Sequence, residues 1–446
     1  MTKKKSLLLL IPACPGPGNK KRWNNAWPDD LERQIWNKYW NVFTPGPLVL
    51  ATIARTKGFH VEVIDEEFQR IDKKRKYDIV AMYSVTPNIL RCFELSSYYR
   101  SSGAHVVVGG VHATLCPEEV ADHVDTVLIG EAEKIWEEFL DDYQKKSPCK
   151  RYEQEPGSIS IQDSPIPSFD LLPKSNRLMI PIQSARGCPH GCRFCNVRNL
   201  YGEGYRAKSI KQMIDELNMS TLLFPHTPVY FTDDNFFVDK RRARALLAVL
   251  KEYNLSWYAN TDVSFGTDTD LIKMSYESGC RNVLIGFESI NPAILKDIDC
   301  DSFKSYHRRT YETAIQNIQR EGIGVVGSFI VGLDGETETT YDELFQFIQT
   351  TGLYGVNITM NTPYPGTQLF KQMNKQNRIL TYDWNQYTIF QPVFQPLDGS
   401  LEDLQNRYLT FLQKVYSDEA QKQRLDVLQR LIRKKRGFRK DCNEKY

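Results

Sequence analysis

The sequence predicts an α/β chain made of two successive parallel sheets and a helical C-terminal cap. Three observations predict it. Short, near-continuous apolar runs alternate with helical segments over residues 1–145, the pattern of a sheet covered on both faces. The alternation lapses in a Pro- and Ser-rich stretch at 146–176 and resumes at Met179. Beyond about residue 375 only helical spacing remains,. A chain of 446 residues also exceeds the roughly 250–300 that one hydrophobic core usually reaches.

The first series reads as a doubly wound, flavodoxin- or Rossmann-like sheet over 1–145. Its strands are the apolar run 6–13, then 60–65 (HVEVID), 77–84 (YDIVAMYS), 104–109 (AHVVVG) and 126–130 (TVLIG). Helical spacing fills 48–57, stopping at Gly58, and recurs at 89–100 and 131–143. Ligands of such sheets sit beyond the carboxyl ends of the strands. The loops there are 12–18, 65–67, 84–87, 109–114 and 130–131. An insertion at 19–44 holds Trp23, Trp27, Trp36 and Trp40, four of the seven tryptophans. Trp36, Tyr39, Trp40 and Phe43 share one face of a helix. They are expected to cover the sheet; an aromatic wall over a bound cofactor is the alternative.

Residues 146–176 read as a linker. The second series, 177–375, places strands at 179–184, 228–232, 257–261, 282–287, 324–331 and 356–359. Helices at 210–217, 240–253, 270–278, 306–320 and 341–350 separate them. This is a partial (β/α)6 barrel, whose chemistry belongs at the strand ends. In the mainly helical region 376–446, Leu401, Leu404, Tyr408, Phe411, Leu412 and Val415 form one stripe.

Composition excludes several classes. A net charge of +2 draws the molecule toward neither nucleic acid nor membrane. The basic tail (Arg430, Arg433, Lys434, Lys435, Arg436, Arg439, Lys440) reads as a solvated helix end. No stretch nears the roughly 18 apolar residues of a membrane span. Lys3, Lys4 and Lys5 before the apolar run, with Cys14 after it, resemble a short secretory signal. Pro12 ends the run too early, so a buried first strand is expected. Of ten cysteines, seven are scattered: Cys14, Cys92, Cys116, Cys149, Cys280, Cys300 and Cys442. Without a signal, a cluster of the other three points to a metal site and a reducing cytoplasm.

That cluster is RGCPHGCRFCNV, Arg186 to Val197. Cys188, Cys192 and Cys195 stand just past the first strand of the second series. Thiolates suit Fe–S clusters and zinc. Three of them leave one iron of a cubane open to a small molecule. Zinc normally closes four ligands, and His190, two residues from Cys188, is awkwardly placed to complete the set.

The CxxxCxxC loop after strand one of a six-unit barrel resembles the radical S-adenosylmethionine (SAM) superfamily over about 176–370. The resemblance implies a 4Fe–4S cluster on Cys188, Cys192 and Cys195. Its open iron would bind SAM, whose reductive cleavage yields a 5′-deoxyadenosyl radical. Phe194 matches the family's aromatic position against adenine. Asp233 and Asp234, in Thr232–Phe236, stand where groups meet the SAM amino end. Glu288, in Gly286–Ser289, resembles the GxES residue that faces SAM. Ser328 falls in the fifth-strand signature, Val326–Thr337, and Thr362–Thr367 matches the turn after strand six.

The first domain resembles the cobalamin-binding domain fused ahead of many such barrels. Gly109-Gly110-Val111-His112-Ala113-Thr114, Pro117-Glu118-Glu119 and Gly130-Glu131-Ala132-Glu133 carry the likeness. The strand-end loops then give Ser84, Val85, Thr86, Gly109, Gly110, His112, Gly130 and Glu131 as cobalamin contacts, the glycines admitting a flat ligand to the backbone. DxHxxG is absent: Asp65-Glu66-Glu67-Phe68 occupies its place without a His. The implied cobalamin has no protein His on cobalt, and His112 is expected in a loop. The resemblance implies methyl transfer to an unactivated carbon of a small molecule or peptide. Its alternatives are ring formation or rearrangement without methyl transfer, and methylthiolation, which needs a second cysteine trio. A flavodoxin or ferredoxin would supply electrons; nucleic acid is not expected as a partner. Arg206 and Lys208 are read as solvated charges, with contact to an anionic group of the substrate as the alternative.

Overall fold

The structure, a computed structural model, describes residues 4–15, 43–174 and 179–443. Of the aromatic face expected at 19–44, only Phe43 is described; it is buried 6.2 Å from the Phe68 ring. Trp23, Trp27, Trp36, Tyr39 and Trp40 lie outside the described residues.

The first sheet is parallel throughout, in the order β2-β1-β3-β4-β5-β6. Its strands are β1 (Ser6–Ile11), β2 (His60–Asp65), β3 (Ile79–Ser84), β4 (His105–Gly110), β5 (Thr126–Ile129) and β6 (Arg151–Glu153). The early apolar run thus becomes a central strand, paired with β2 and β3. Alternation sends Leu8 and Leu10 to one face, with Val80, Met82, Val106 and Val108. Leu7 and Leu9 go to the other, with Leu48, Trp136 and Phe139. Covering both faces explains why these strands read as unbroken apolar runs.

One strand lies inside the expected linker. Arg151–Glu153 pairs with β5, and Tyr152 is its buried residue, its hydroxyl donating to Asp142 at 3.0 Å. Three residues with one inward side chain carry too little periodicity to be read as a strand.

The second sheet holds β7 (Ile180–Ile182), β10 (Val229–Phe231), β11 (Trp257–Thr261), β12 (Cys280–Glu288), β13 (Gly324–Val331) and β14 (Gly355–Met360). They pair in chain order, all parallel, so this is the expected partial barrel, open between β7 and β14. β8 (Ala185–Arg186) and β9 (Arg206–Ala207) form an antiparallel ribbon at its rim. One apolar cluster runs from Leu7, Leu48 and Trp136 through Phe169 to Ile180, Met213 and Phe231, joining the two sheets through a shared core.

The cap is helical from Leu401. Helix Leu401–Tyr416 covers β14, where the Tyr408 and Tyr416 hydroxyls donate to the Ile358 and Val356 carbonyls at 3.3 and 2.9 Å. The preceding segment is irregular but pinned. Arg378 grips Asp334 with both terminal nitrogens, at 2.8 and 2.6 Å, and Trp384 Nε1 donates to Glu119 of the first domain at 2.8 Å. Among the described residues no helix is long and apolar enough to cross a membrane.

Candidate functional site

The cysteine loop leaves the rim ribbon at Arg186 and ends in helix Val197–Tyr201. Gly187 makes the exit possible: its φ is +92°, and a Cβ there would meet the Gly204 carbonyl at 2.3 Å. The loop is then fastened from successive strand ends. Gly187 N–H donates to Asp234, beyond β10, at 2.9 Å. His190 Nε2 lies 3.0 Å from Asp262, beyond β11. Gly191 N–H donates to Asp301 and Arg193 N–H to the Ile298 carbonyl, both after β12. Asn196 Nδ2 donates to the Pro365 carbonyl, after β14, at 3.0 Å. His190 is therefore a tether, not a fourth metal ligand, and its ring packs 4.0 Å from Phe303.

Cys188, Cys192 and Cys195 are all half-buried. Burial pushes the Cys188 thiol up to about 11 and Cys192 up to about 12, and raises Cys195 as well. Ligation to a cationic centre would offset that burial cost. His190, the candidate fourth ligand inside the loop, is turned to Asp262 instead. Three thiolates without a fourth suit a cubane with one open iron better than structural zinc, which closes four ligands.

The strand ends around the loop divide the expected SAM residues. Asp234 is mostly buried and lifted to about 6, chiefly by burial, and sits beside the loop. Glu288 is buried at φ +63°, at the register shift that ends β12. Ser328 is half-buried, accepting from Asn357 Nδ2 at 3.4 Å. Phe194 is half-buried beside Leu333 and Asn361. Asp233 differs. It is fully buried, accepting Ser184 N–H at 2.6 Å, Ala185 N–H at 3.1 Å and the Ser184 hydroxyl at 2.5 Å. It latches the chain entering the loop and has no face left for SAM. Two residues were missed by motif reading. Lys304 is buried against Glu288, and Asn361 holds a buried side-chain oxygen with no partner among the described residues.

The cobalamin residues divide in the same way. A cleft of about 370 Å³ opens beyond β1, β3, β4 and β5. Gly109, Gly110, Gly130 and Glu131 line it, with Leu10, Met82 and Tyr83 from the sheet and Gln183, Arg186 and Tyr201 from the barrel side. An apolar floor under exposed backbone fits a large flat cofactor. Gly110 and Gly130 are required for a further reason. A Cβ on Gly110 would meet the Ser84 carbonyl at 2.6 Å, and one on Gly130 the Gln154 carbonyl at 2.3 Å, so protein backbone fills those spaces.

Ser84, Val85, Thr86 and His112 do not line the cleft. The Ser84 hydroxyl ties Gly109 O to Ala113 N. His112 lies on helix Val111–Leu115 rather than in a loop and is fully buried, its nitrogens 3.2 Å from the Thr86 hydroxyl and 3.3 Å from Glu119. Glu119 in turn accepts from Trp384. This is a polar lock between the first domain and the cap. Arg206 and Lys208 are likewise paired: Arg206 contacts Glu131 at 3.0 Å, and buried Lys208 contacts buried Glu216 at 2.5 Å. Of Cys14, Cys92 and Cys116, the cysteines available for the second trio that methylthiolation needs, Cys92 is fully buried on helix Ile89–Ser101, while Cys14 and Cys116 are half-buried.

Asp65 ends β2, almost wholly buried, with Glu66 and Glu67 adjacent. Burial raises its carboxyl to about 7. The unfolded chain ionises this group near its ordinary value while the fold resists, so its contribution to stability falls as pH rises from about 4 to 7. Asp65→Asn escapes that loss. Its stability advantage over the natural protein is expected to widen by about 1–3 kcal/mol between pH 5 and pH 8, measured by denaturant unfolding at each pH; a constant difference would refute it.

Comparison with known proteins agrees with this architecture. Residues 182–348 match the model of the radical SAM superfamily, and residues 41–140 that of the B12 binding domain. Bacteriochlorophyllide d C-12(1)-methyltransferase of Chlorobaculum tepidum is 29% identical over 389 residues, covering 85% of this chain and 84% of that one. The anaerobic magnesium-protoporphyrin IX monomethyl ester cyclase of Cereibacter sphaeroides is 24% identical over 375 residues, covering 74% and 60%. The fold is like that of the radical SAM methyltransferase TsrM from Kitasatospora setae, solved with cobalamin and a [4Fe-4S] cluster: TM-score 0.66, 16% identity, 94% of this chain and 82% of that one.

Proposed function

Since this chain belongs to the radical SAM proteins that carry a B12-binding domain ahead of the barrel, we propose that it methylates an unactivated carbon of a small molecule or peptide. One observation carries the reading. Arg186 lines the cleft at the tips of the first sheet and stands two residues before Cys188. The cleft read as the cobalamin site therefore reaches the root of the cysteine loop, which supports a reaction using both cofactors.

When bound, the cluster and SAM supply a hydrogen-abstracting radical, and cobalamin supplies the methyl group. The chain's own residues position and shield. Cys188, Cys192 and Cys195 hold the cluster on a loop fixed by Asp234, Asp262 and Asp301. Phe194, Asp234, Glu288 and Ser328 would border SAM, and the buried oxygen of Asn361, which lines the same pocket as Phe194, would be available to accept a hydrogen bond from it. Gly109, Gly110, Gly130 and Glu131 border cobalamin. A flavodoxin or ferredoxin would deliver the electron, in the reducing cytoplasm that a cysteine-held cluster favours.

A second reading, ring formation without methyl transfer, is favoured by the likeness to the cyclase. Anaerobic protein, reconstituted with iron, sulfide and cobalamin and given SAM deuterated at its methyl group with a small-molecule cell extract, separates them. Methyl transfer predicts a product heavier by one labelled methyl. 5′-Deoxyadenosine with only unlabelled products would favour ring formation, and absence of both would sink the proposal.

A further inference from the structure

Lys304 belongs to none of the recognised motifs, yet it is a buried cation at the strand ends beside the cysteine loop. It is 7% exposed. Its Nζ donates to the Gly286 carbonyl at 2.6 Å and meets Glu288 Oε1 at 3.2 Å, while its backbone N–H donates to Asp299. Asp299 bridges to Cys192 in a short antiparallel contact, and the neighbouring Arg193 N–H bonds to Ile298. The segment bearing Lys304 is therefore laid against the cysteine loop itself. Arg193 and Arg198, by contrast, are about one-third exposed and already paired with Asp297 and Asp301, so solvent screens them.

We propose that Lys304 is a positioning and charge-compensating residue of the iron–sulfur centre, easing its reduction and holding the Glu288 carboxylate in place. The proposal rests on the cysteine loop holding a 4Fe–4S cluster. Reduction adds one electron from an external reductant to a centre already bounded by three thiolates and several carboxylates. A fixed cation buried beside it lowers that electrostatic penalty, and low local polarity magnifies the effect. Glu288 sits in a left-handed backbone conformation that a glutamate rarely adopts,. The ion pair to Lys304 gives its side chain a fixed direction, folded over Gly286, where even a Cβ would come within 2.4 Å of Oε1.

The test uses the full chain, reconstituted anaerobically, with dithionite-poised titrations followed by electron paramagnetic resonance in the absence of SAM. Lys304→Met is expected to retain its iron but to be at least tenfold harder to reduce, a fall of 59 mV or more for one electron. Lys304→Arg should stay near the natural value, and Glu288→Gln should move the opposite way. A structural lesion would shift Lys304→Met and Glu288→Gln in the same direction, and that result, or a Lys304→Met midpoint equal to the natural one, overturns the proposal. Should Lys304→Met fail to take up iron, a Glu288→Gln midpoint above the natural one, with Lys304→Arg unshifted, supports the proposal, and a Glu288→Gln midpoint at or below the natural one overturns it. Natural protein that binds no iron would instead remove the cluster reading itself, whatever the lysine does.

Discussion

Asp233→Ala is expected to lose both stability and iron, rather than simply affinity for SAM. Asp233 is fully buried and satisfies two backbone N–H groups and one hydroxyl at Ser184 and Ala185. Arg242 holds the other side of the same residue, donating to the Ser184 carbonyl at 2.9 Å. Truncation leaves those donors buried without an acceptor. At about 1–3 kcal/mol for each unsatisfied group, a total loss on the order of 3–5 kcal/mol follows. The loop begins two residues on, so its three cysteines should no longer meet one cluster. Asp233→Asn is expected to be much milder, because an amide oxygen still accepts the two N–H groups and the amide nitrogen can donate to the hydroxyl. Denaturant unfolding and iron content measure both effects. A variant that melted like the natural protein and kept its iron, but needed more SAM, would return Asp233 to the substrate side.

The neighbouring pair Asp233 and Asp234 marks where sequence reading stops. Strands were legible because burial on both faces writes itself as apolar runs, and the order of six such runs gave the partial barrel. Which way an aspartate turns at a strand end is not written in that pattern. Two successive residues go to different tasks, one inward to Ser184 and one to the loop at Gly187. His112 shows the same limit. Its motif is visible, but the partner that fixes its role, the Glu119–Trp384 pair, spans 265 residues. Lys304 was invisible for the complementary reason: a lone lysine between motifs reads as solvated until the fold buries it. Gly110 and Gly130 were legible as necessary for a ligand, but not for the Ser84 and Gln154 carbonyls that also fill the space beside them.

Arg186→Met should separate the two domains' behaviour more than any other single change at the cleft. Arg186 is buried, with Nη1 2.8 Å from Glu131, Nη2 2.5 Å from Glu133 and Nε 2.8 Å from the Gln183 carbonyl oxygen of its side chain. Glu131 keeps a second partner in Arg206. Glu133 is held below the ordinary carboxylate range by Arg186, against the opposing effect of burial. Removing the guanidinium leaves that carboxylate buried and unpaired, which costs about 3–5 kcal/mol. Arg186→Lys should recover only part of it, since one ammonium cannot reach both carboxylates in the planar, forked geometry. Adding Glu133→Gln to Arg186→Met should recover more, because the charge that lost its partner is then gone. The pairing joins the B12-binding sheet to the strand that feeds the cysteine loop. Breaking it is therefore expected to weaken cobalamin binding and to split unfolding into two transitions, read by tryptophan fluorescence and by bleaching of the cluster. A single coincident transition at the natural midpoint would mean that the shared apolar core alone joins the two sheets.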